Sequence, residues 1–268
     1  MSKSGFLKVV LTLGVVLLSC QGMIVKASDR DRDEDSQAAC KQLPSHNALR
    51  NALRMAQSMS NGGFGLNMWA TVVNRDGVVC AVAFTGNNRG DQWPGSRVIS
   101  AQKANTANAF SLPGLALSTA DLYSATQPGG SLYGLQHSNP VSTDVAYRGS
   151  SSDFGQSNDP MVGGKIGGVN VFGGGLALYN AQKQLIGAIG VSGDSSCADH
   201  NIAWRTRNTL HLDFVPGGVG PDAARPDNIV YDITTPTGFA IGVSASGWGH
   251  PACNATVAGI ANGLPPVE

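Results

Sequence analysis

Hydrophobic positions recur with a helical period in two parts of the N-terminal half. After Ser45, apolar residues return every three or four positions, which predicts a helix with one buried face. They are Leu49, Leu53, Ala56 and Met59. Ser45 stands directly before this run and is suited to cap it. A second helix is predicted from Ser96, where alanines keep one face small enough for a close approach to a sheet.

Two other runs have the pattern of β-hairpins. In residues 67–84, NMWATVVNRDGVVCAVAF, two apolar β-rich runs flank Asp76-Gly77, a turn pair whose glycine tolerates positive φ. In residues 166–193 the second pair of runs is separated by NAQKQ. The GGG sequence at 173–175 indicates a bulge, or a point where a ligand or another backbone comes close. NIVYDI, residues 228–233, is one further strand candidate.

No periodic pattern spans residues 121–165, which are rich in Gly, Ser, Asn and Pro. A structureless run of this length is uncommon inside a compact domain, so we expect a functional lid or an ordered surface excursion. Beyond the second hairpin, CADHNIAWRTRNTL predicts another helix, capped by a residue between Ser192 and Ser195.

The N-terminal residues have the pattern of an export signal. A short basic start and an apolar run from Phe6 to Leu18 predict a signal peptide over residues 1–27, because the run is too short to span a membrane. Two processing sites remain open. LLSC at 17–20 resembles a lipobox, which would anchor the protein to a membrane through Cys20, whereas VKA at 25–27 would release it as a secreted or periplasmic protein. Residues 28–44 are predicted to be a charged, disordered leader.

Composition removes some classes of function. The chain has 18 basic and 18 acidic residues, so it lacks the basic excess of a nucleic-acid-binding protein. Without Cys20, four cysteines remain, and an even number in an exported protein predicts disulfides, with three pairings open. The sequence has no C-x-x-C pair, which argues against a zinc ribbon and against covalent c-type haem.

Residues 187–201, GAIGVSGDSSCADHN, raise three alternatives. GVSGD departs from the nucleophile-elbow pattern because Asp194 replaces the second glycine. Cys197, Asp199 and His200 are poorly spaced for a metal site on one helix face. A tight strand-to-helix corner is the best interpretation, and the N–H groups of the helix start could anchor an anion such as a propionate.

Together with SAQKANTA at 100–107, this corner resembles the GlcG/HbpS-like family of haem-binding proteins. The matching features follow the order of that family. They are the helix after Ser45, the Asp76-Gly77 turn, Lys103-Ala104 with Thr106-Ala107, Gly173 to Gly175, and Gly187, Gly190, Ser192, Gly193 and Asp199.

The resemblance implies an α/β protein of the α+β type, with a profilin-like antiparallel sheet of about five strands packed with helices. It places the domain at residues 45–210, with an insert at about 121–165, and leaves 211–268 as a C-terminal extension packed on the same domain. It also implies haem or a related tetrapyrrole as ligand, homo-oligomers, and a role in haem handling or extracytoplasmic sensing.

The resemblance carries over no single iron ligand. Histidine is the usual axial ligand of haem iron, so His200 and His46 are candidate metal ligands, and His137 in the insert is a third candidate. Lys103 could pair with a propionate, and the corner contributes Ser192, Gly193 and Asp199. Four aromatic residues could wall an apolar pocket: Trp93, Tyr123, Tyr133 and Phe154.

Two other functions stay open at this point. The chain could be an enzyme that acts on a small carboxylate at the Gly-rich hairpin and the GVSGD corner. It could also be a protein-interaction module that works through the 121–165 insert.

Overall fold

The computed structural model describes residues 40–235, 237 and 242–268. The predicted signal peptide, Cys20 and the first part of the predicted leader lie outside these residues. Within the described residues, no helix has the length and apolar character needed to cross a bilayer.

The centre of the fold is a four-stranded antiparallel sheet in the order β2-β1-β4-β3. The strands are β1 (Trp69–Asn74), β2 (Val79–Phe84), β3 (Gly175–Tyr179) and β4 (Leu185–Ser192). Both predicted hairpins are therefore confirmed, and β1 joins them by pairing with β4, with Trp69 opposite Ser192. Gly77 takes φ +74 in the first turn, as the Asp-Gly pair predicts.

Three longer helices cover the two faces of this sheet. They are α1 (His46–Gln57), α2 (Ser96–Phe110) and α6 (Ser196–Thr209). Helix α1 is capped by the Ser45 side chain, which accepts from the N–H of Ala48, as predicted. Helix α2 packs closely on β4, because a Cβ on Gly190 would lie 1.9 Å from the carbonyl oxygen of Ser100.

A hydrophobic core lies on each face, so the strands are buried on both sides. Helices α1 and α6 build one core with the β-strands, and this core includes Leu53, Val72 and Trp204. Helix α2 builds the other core through its alanines, which pack with Trp69 and Val82.

The insert is an ordered surface excursion with short helices. They are α3 (Tyr123–Thr126), α4 (Leu135–Ser138), α5 (Thr143–Ala146) and a single 3-10 turn, Ser151–Asp153. Asp159 fastens the insert to α2 through a buried ion pair with Arg97, in which the Nε–Oδ2 distance is 2.9 Å. The Asp159 carboxylate also accepts from the N–H groups of Gly155 and Met161.

The C-terminal extension packs on the α1–α6 face. Ile229, Ala261 and Leu264 belong to the same core as α1 and α6. The extension contains α7 (Val257–Asn262) and a separate two-stranded sheet of β5 (Ile233–Thr234) and β6 (Val243–Ser244). Of the strand candidate at 228–233, Ile233 joins this small sheet and Val230 forms an isolated bridge with Gly249. The main sheet therefore has four strands rather than about five, because these residues pair within the extension.

Each outer strand of the main sheet hydrogen bonds to a neighbouring segment of chain. On β2, the backbone N–H of Val79 donates to Gly164 of the insert, and Val79 accepts from Gly163. On β3, the N–H of Tyr179 donates to the carbonyl of Leu212 in the extension.

Two disulfides confirm the expectation from the even cysteine count. Cys40 bonds to Cys80 in β2, and Cys197 in α6 bonds to Cys253 in the extension. Residues 40–44 do not behave as the disordered end of a leader, because the first disulfide holds them on β2 and Leu43 is buried in the core.

Candidate functional site

A surface pocket of about 390 Å³ lies where α2 and α6 begin, at the end of β4. We call it the helix-start pocket. Its lining residues are Trp93, Gly95, Ser96, Ile99, Lys103, Asn170, Phe172, Ser192, Asp194, Ser196 and Asp199. Of the predicted ligand-binding residues, the fold brings together Lys103, Ser192 and Asp199, and Gly193 stands between two lining residues.

Two other pockets contain none of the predicted histidines, Lys103 or the corner residues, although Tyr123 lines the second. One, of about 480 Å³, lies by the hairpin turns around Arg75 and Lys183. The other, of about 1020 Å³, lies between the insert and the extension, around Gln127 and Val243. The helix-start pocket is the candidate site on chemical grounds rather than by volume, because it joins Lys103, Ser192 and Asp199 of the family motifs.

Lys103 and Asp199 form a buried ion pair at the base of the helix-start pocket. Lys103 Nζ lies 2.7 Å from Asp199 Oδ2 and donates also to the carbonyl of Val191 at 3.2 Å. Burial raises the pKa of Asp199 to about 6, although Lys103 and the N–H of Asp194 oppose this shift. Lys103 is therefore already paired with Asp199, and a propionate would have to compete with that carboxylate for the lysine.

Glycines 173–175 allow this ion pair to form across the sheet end. A Cβ on Gly174 would lie 2.4 Å from the carbonyl oxygen of Val191 and 3.1 Å from Lys103 Nζ. Gly174 also has φ +120, which side chains rarely adopt. The GGG sequence therefore marks a close approach of backbone to backbone, one of the two meanings predicted for it.

The start of α6 is capped by the chain itself. Ser195 is the N-cap, as predicted for the 192–195 corner, and its hydroxyl accepts from Ala198. The preceding Asp194 carboxylate accepts from the N–H groups of Phe64, Leu66 and Ser195. The N–H groups of Ser195 and Ala198, at the helix start that the sequence suggested for anion binding, are therefore already occupied.

The start of α2 is different. Its N-cap is Gly95, which has no side chain to accept from the first turn. Gly95 and Ser96 line the helix-start pocket, so the positive end of a 15-residue helix faces it. The N–H of Ser96 itself donates to the carbonyl of Trp93 at 3.0 Å. The positive end of the helix dipole still favours a carboxylate or another anion at this start.

Apolar side chains form the rim of the pocket. Trp93 is 53% exposed and Phe172 is 43% exposed, and both line the pocket beside Ile99. Of the four predicted wall aromatics, Trp93 is therefore in place. Phe154 instead stacks on Arg97, and Tyr133 is exposed in the insert.

His200 lies next to Asp199 in sequence but on the buried side of α6. Its Nε2 accepts from the N–H of Ile229 at 3.1 Å and lies 3.1 Å from the side-chain oxygen of Asn228. Burial lowers the pKa of His200 to about 3, so the ring is neutral. His200, a candidate iron ligand, thus uses its Nε2 to hold the extension in place through Ile229.

His46 and His137 lie away from the helix-start pocket. His46 opens α1, where its Nε2 contacts the carbonyl of Gly155 at 2.9 Å. His137 is exposed on α4. The structure therefore does not bring His46, His137 and His200 together, and in the described ranges no three His, Cys, Asp or Glu residues are grouped to hold a metal ion.

Sequence reasoning missed several residues of the pocket. Phe172 and Asn170 belong to no motif that points to a ligand, and Asp194 lies in the GVSGD corner but received no role of its own. Gly95 carries a signal only as the glycine before a predicted helix. His250 was also missed, although it lies behind Phe172 in the extension, where its ring centroid is 5.1 Å from that of Tyr123. A single histidine in a segment without regular secondary structure belongs to no sequence pattern that would mark it as a site residue.

Comparison with known proteins identifies the family. A family model described as haem-degrading protein HbpS-like matches residues 45–207, which is more than half of the chain. The chain belongs to this family, as the order of its motifs predicts. None of the curated proteins matches it.

Two solved structures are similar to this chain. One is described as the crystal structure of the PduOC:heme complex, with 22% identity, a TM-score of 0.44, and coverage of 63% of this chain and 94% of that chain. The other is a Klebsiella pneumoniae protein, ORFY, of the DUF336 family, with 24% identity, a TM-score of 0.42, and coverage of 62% and 90%.

Proposed function

We propose that this protein binds haem or a related tetrapyrrole at the helix-start pocket. The observation that carries the proposal is the joint presence of an uncapped helix start and two half-exposed aromatic side chains at one pocket. The macrocycle of a tetrapyrrole is apolar and its propionates are anionic, so it needs both kinds of contact. Membership of the haem-degrading HbpS-like family supports the same ligand class.

The residues present fit the macrocycle and its carboxylates better than they fit the iron. Trp93, Ile99 and Phe172 offer apolar contact, and the positive end of the α2 dipole favours a carboxylate. The side chains that usually ligate haem iron are His, Cys, Met and Tyr, and none of them is in the lining set of this pocket. The binding free energy should therefore come mainly from the porphyrin and its propionates.

The charges of the pocket restrict where a carboxylate can sit. Asp194 and Asp199 both line it, and each would repel an anion placed beside it. Lys103 neutralises Asp199, and three backbone N–H groups satisfy Asp194. The α2 start at Gly95 is the remaining favourable position for negative charge.

The cellular setting is part of the same proposal. The two disulfides are typical of an oxidising compartment, and the N-terminal sequence favours export. We therefore place the protein outside the cytoplasm, secreted or periplasmic, or on a membrane if Cys20 is lipidated. Assembly into homo-oligomers and a role in haem handling or extracytoplasmic sensing are expectations from the family.

A small carboxylate is the second candidate ligand, and the modest size of the pocket favours it. About 390 Å³ lies near the lower end of the range of ordinary ligand pockets, so a small acid would be enclosed while a tetrapyrrole would extend beyond the rim. Competition by a short dicarboxylate against porphyrin would separate the two ligands. The interaction-module alternative stays a prediction about the insert.

The test is a titration of residues 28–268 with haemin and, separately, with iron-free protoporphyrin IX. We expect saturable binding of both, with dissociation constants within about tenfold of each other. Gly95→Asp should weaken both by about tenfold, because its carboxylate would occupy the α2 start and repel the propionate. Gly95→Asn is the matched control, which caps the helix without the charge.

Two outcomes would contradict parts of this proposal. If neither porphyrin binds well above micromolar concentrations, tetrapyrrole binding is wrong. If haemin binds and protoporphyrin IX does not, iron ligation dominates. In that case alanine variants of His46, His137 and His200, read by the Soret band, would identify the ligand.

A further inference from the structure

The insert and the C-terminal extension meet behind one wall of the helix-start pocket. Tyr123 in the insert has its ring centroid 6.2 Å from that of Phe172, which lines the pocket. On its other side, Tyr123 packs against His250 of the extension, with 5.1 Å between the centroids. Ser124 adds a hydrogen bond of 2.6 Å from its hydroxyl to the carbonyl of Gly249.

His250 contacts the backbone of this wall directly. The ring is 2% exposed, and its Nδ1 lies 2.8 Å from the carbonyl oxygen of Pro251, to which it donates. That contact leaves Nε2 as an acceptor, and it faces the N–H of Gly173 at 3.5 Å. Burial lowers the pKa of His250 to about 4, so the acceptor form persists at neutral pH.

A disulfide fixes the same loop to the start of α6. Cys253 is three residues beyond His250 and is bonded to Cys197, next to Ser196 of the pocket lining. The backbone N–H of Cys197 donates to Cys253 Sγ at 3.3 Å, and the N–H of Cys253 donates to Cys197 Sγ at 3.1 Å. The loop 249–253 therefore contacts two sides of the pocket, the Phe172 side and the α6 start.

From this geometry we propose that the C-terminal extension is part of the ligand site. Loop 249–253 holds the Phe172 wall and the α6 start at a fixed separation, and His250 is a positioning residue within it. The loop lies beyond residue 207, where the family match ends, so this contribution belongs to this chain rather than to the matched domain. A wall that is ordered before binding loses less conformational entropy when the ligand arrives.

The experiment compares two disulfides, and for its ligand it rests on the proposed function. Replacing Cys197 and Cys253 by serine should weaken haemin binding by about tenfold, because the wall and the helix start are no longer held together. Replacing Cys40 and Cys80 by serine is the matched control and should change the affinity by less than about twofold, since that disulfide lies away from the pocket.

A second pair of variants addresses the histidine. His250→Leu keeps the ring volume roughly but removes the acceptor, whereas His250→Gln keeps an acceptor for Gly173. We expect His250→Leu to weaken haemin binding about tenfold and His250→Gln to restore most of the affinity. A structural role alone would lower the thermal stability of both variants without this difference in binding.

Hydrogen exchange in the ligand-free protein gives an independent readout. Opening of the wall in His250→Leu and in the Cys197–Cys253 variant should speed exchange of the Gly173 amide at least about tenfold, with no change in the Cys40–Cys80 variant. The proposal is overturned if exchange at Gly173 is unaffected, or if both cysteine pairs alter haemin affinity equally. If wild-type protein binds no haemin, the proposed function fails, while exchange still decides whether the extension braces this wall.

Discussion

Lys103 Nζ and Asp199 Oδ2 lie 2.7 Å apart in the protein interior, and they join helices that cover opposite faces of the sheet. The pair forms where the sheet ends, beside Gly174, which leaves room for the lysine. Both residues belong to motifs that the sequence offered as ligand-binding. Their first role in the structure is to join the two layers beneath the pocket.

Removing one partner of this pair should lower the free energy of unfolding more than removing both partners. Lys103→Met leaves Asp199 buried without its cation, and we expect a loss of about 3–5 kcal/mol in the free energy of unfolding. The double variant Lys103→Met/Asp199→Leu should recover much of that loss, because no buried charge remains. Urea unfolding of the single and double variants measures the coupling. If the loss in the double variant equals the sum of the losses in Lys103→Met and Asp199→Leu, the pair contributes no coupling.

Acid should destabilise the protein through its buried histidines. Burial lowers the folded pKa of His250 to about 4 and of His200 to about 3, from an ordinary 6.5. As pH falls from 6.5 to 4, the unfolded chain takes up protons that the folded chain excludes, so the free energy of unfolding falls. Asp199 works in the opposite direction, because its folded pKa of about 6 exceeds its ordinary 3.8.

His250→Gln isolates one of these contributions. Between pH 6 and pH 4 the variant should show a shallower pH dependence than the wild type, by up to about 1.4 kcal/mol per pH unit. The measurement is urea unfolding at several pH values. His137→Gln, at an exposed position, is the control and should follow the wild-type curve. Identical slopes for all three proteins would contradict a buried neutral His250.

Gly190 should tolerate no side chain. A Cβ there would lie 1.9 Å from the carbonyl oxygen of Ser100, so α2 would have to move away from β4. We expect Gly190→Ala to lower the free energy of unfolding by about 3 kcal/mol or more. Gly114→Ala is the control, because an added Cβ there meets nothing within 4 Å. Thermal denaturation of both variants checks this, and similar melting temperatures would refute the close approach.

The attachment of the insert depends on Asp159. Its carboxylate receives Arg97 and the backbone N–H groups of Gly155 and Met161. Asp159→Asn should expose the insert to limited proteolysis and lower the free energy of unfolding by about 3 kcal/mol, as for other broken buried pairs. Asp144→Asn, at an exposed position of the insert, should leave the cleavage pattern unchanged. Wild-type resistance in the Asp159 variant would mean that the ion pair does not hold the insert.

Local sequence signals predicted the regular elements well. The Ser45 cap, the Asp76-Gly77 turn, both hairpins and the corner before α6 are determined by contacts within a few residues, and each is present. The main sheet has four strands because the candidate at 228–233 pairs elsewhere. That difference depends on tertiary contacts, which the local pattern of hydrophobic residues does not reveal.

The site was predicted only in part, for the same physical reason. Lys103, Ser192 and Asp199 meet because the order of family motifs reflects a common fold. His200 has the residue type of an iron ligand, but which side of α6 it faces follows from packing against the extension. Gly95 can be recognised as part of the ligand site only when the structure shows that it lines the pocket.

The hydrogen bonds along β2 and β3 restrict how copies of this protein could associate. Unpaired strand edges are templates for adding further strands, and here segments 163–164 and 212 already occupy backbone groups of Val79 and Tyr179. The insert hydrogen bonds to one edge of the sheet, and the extension hydrogen bonds to the other. Strand addition at Val79 or Tyr179 would first have to displace these segments, which reduces the hazard of open-ended β-aggregation at these positions.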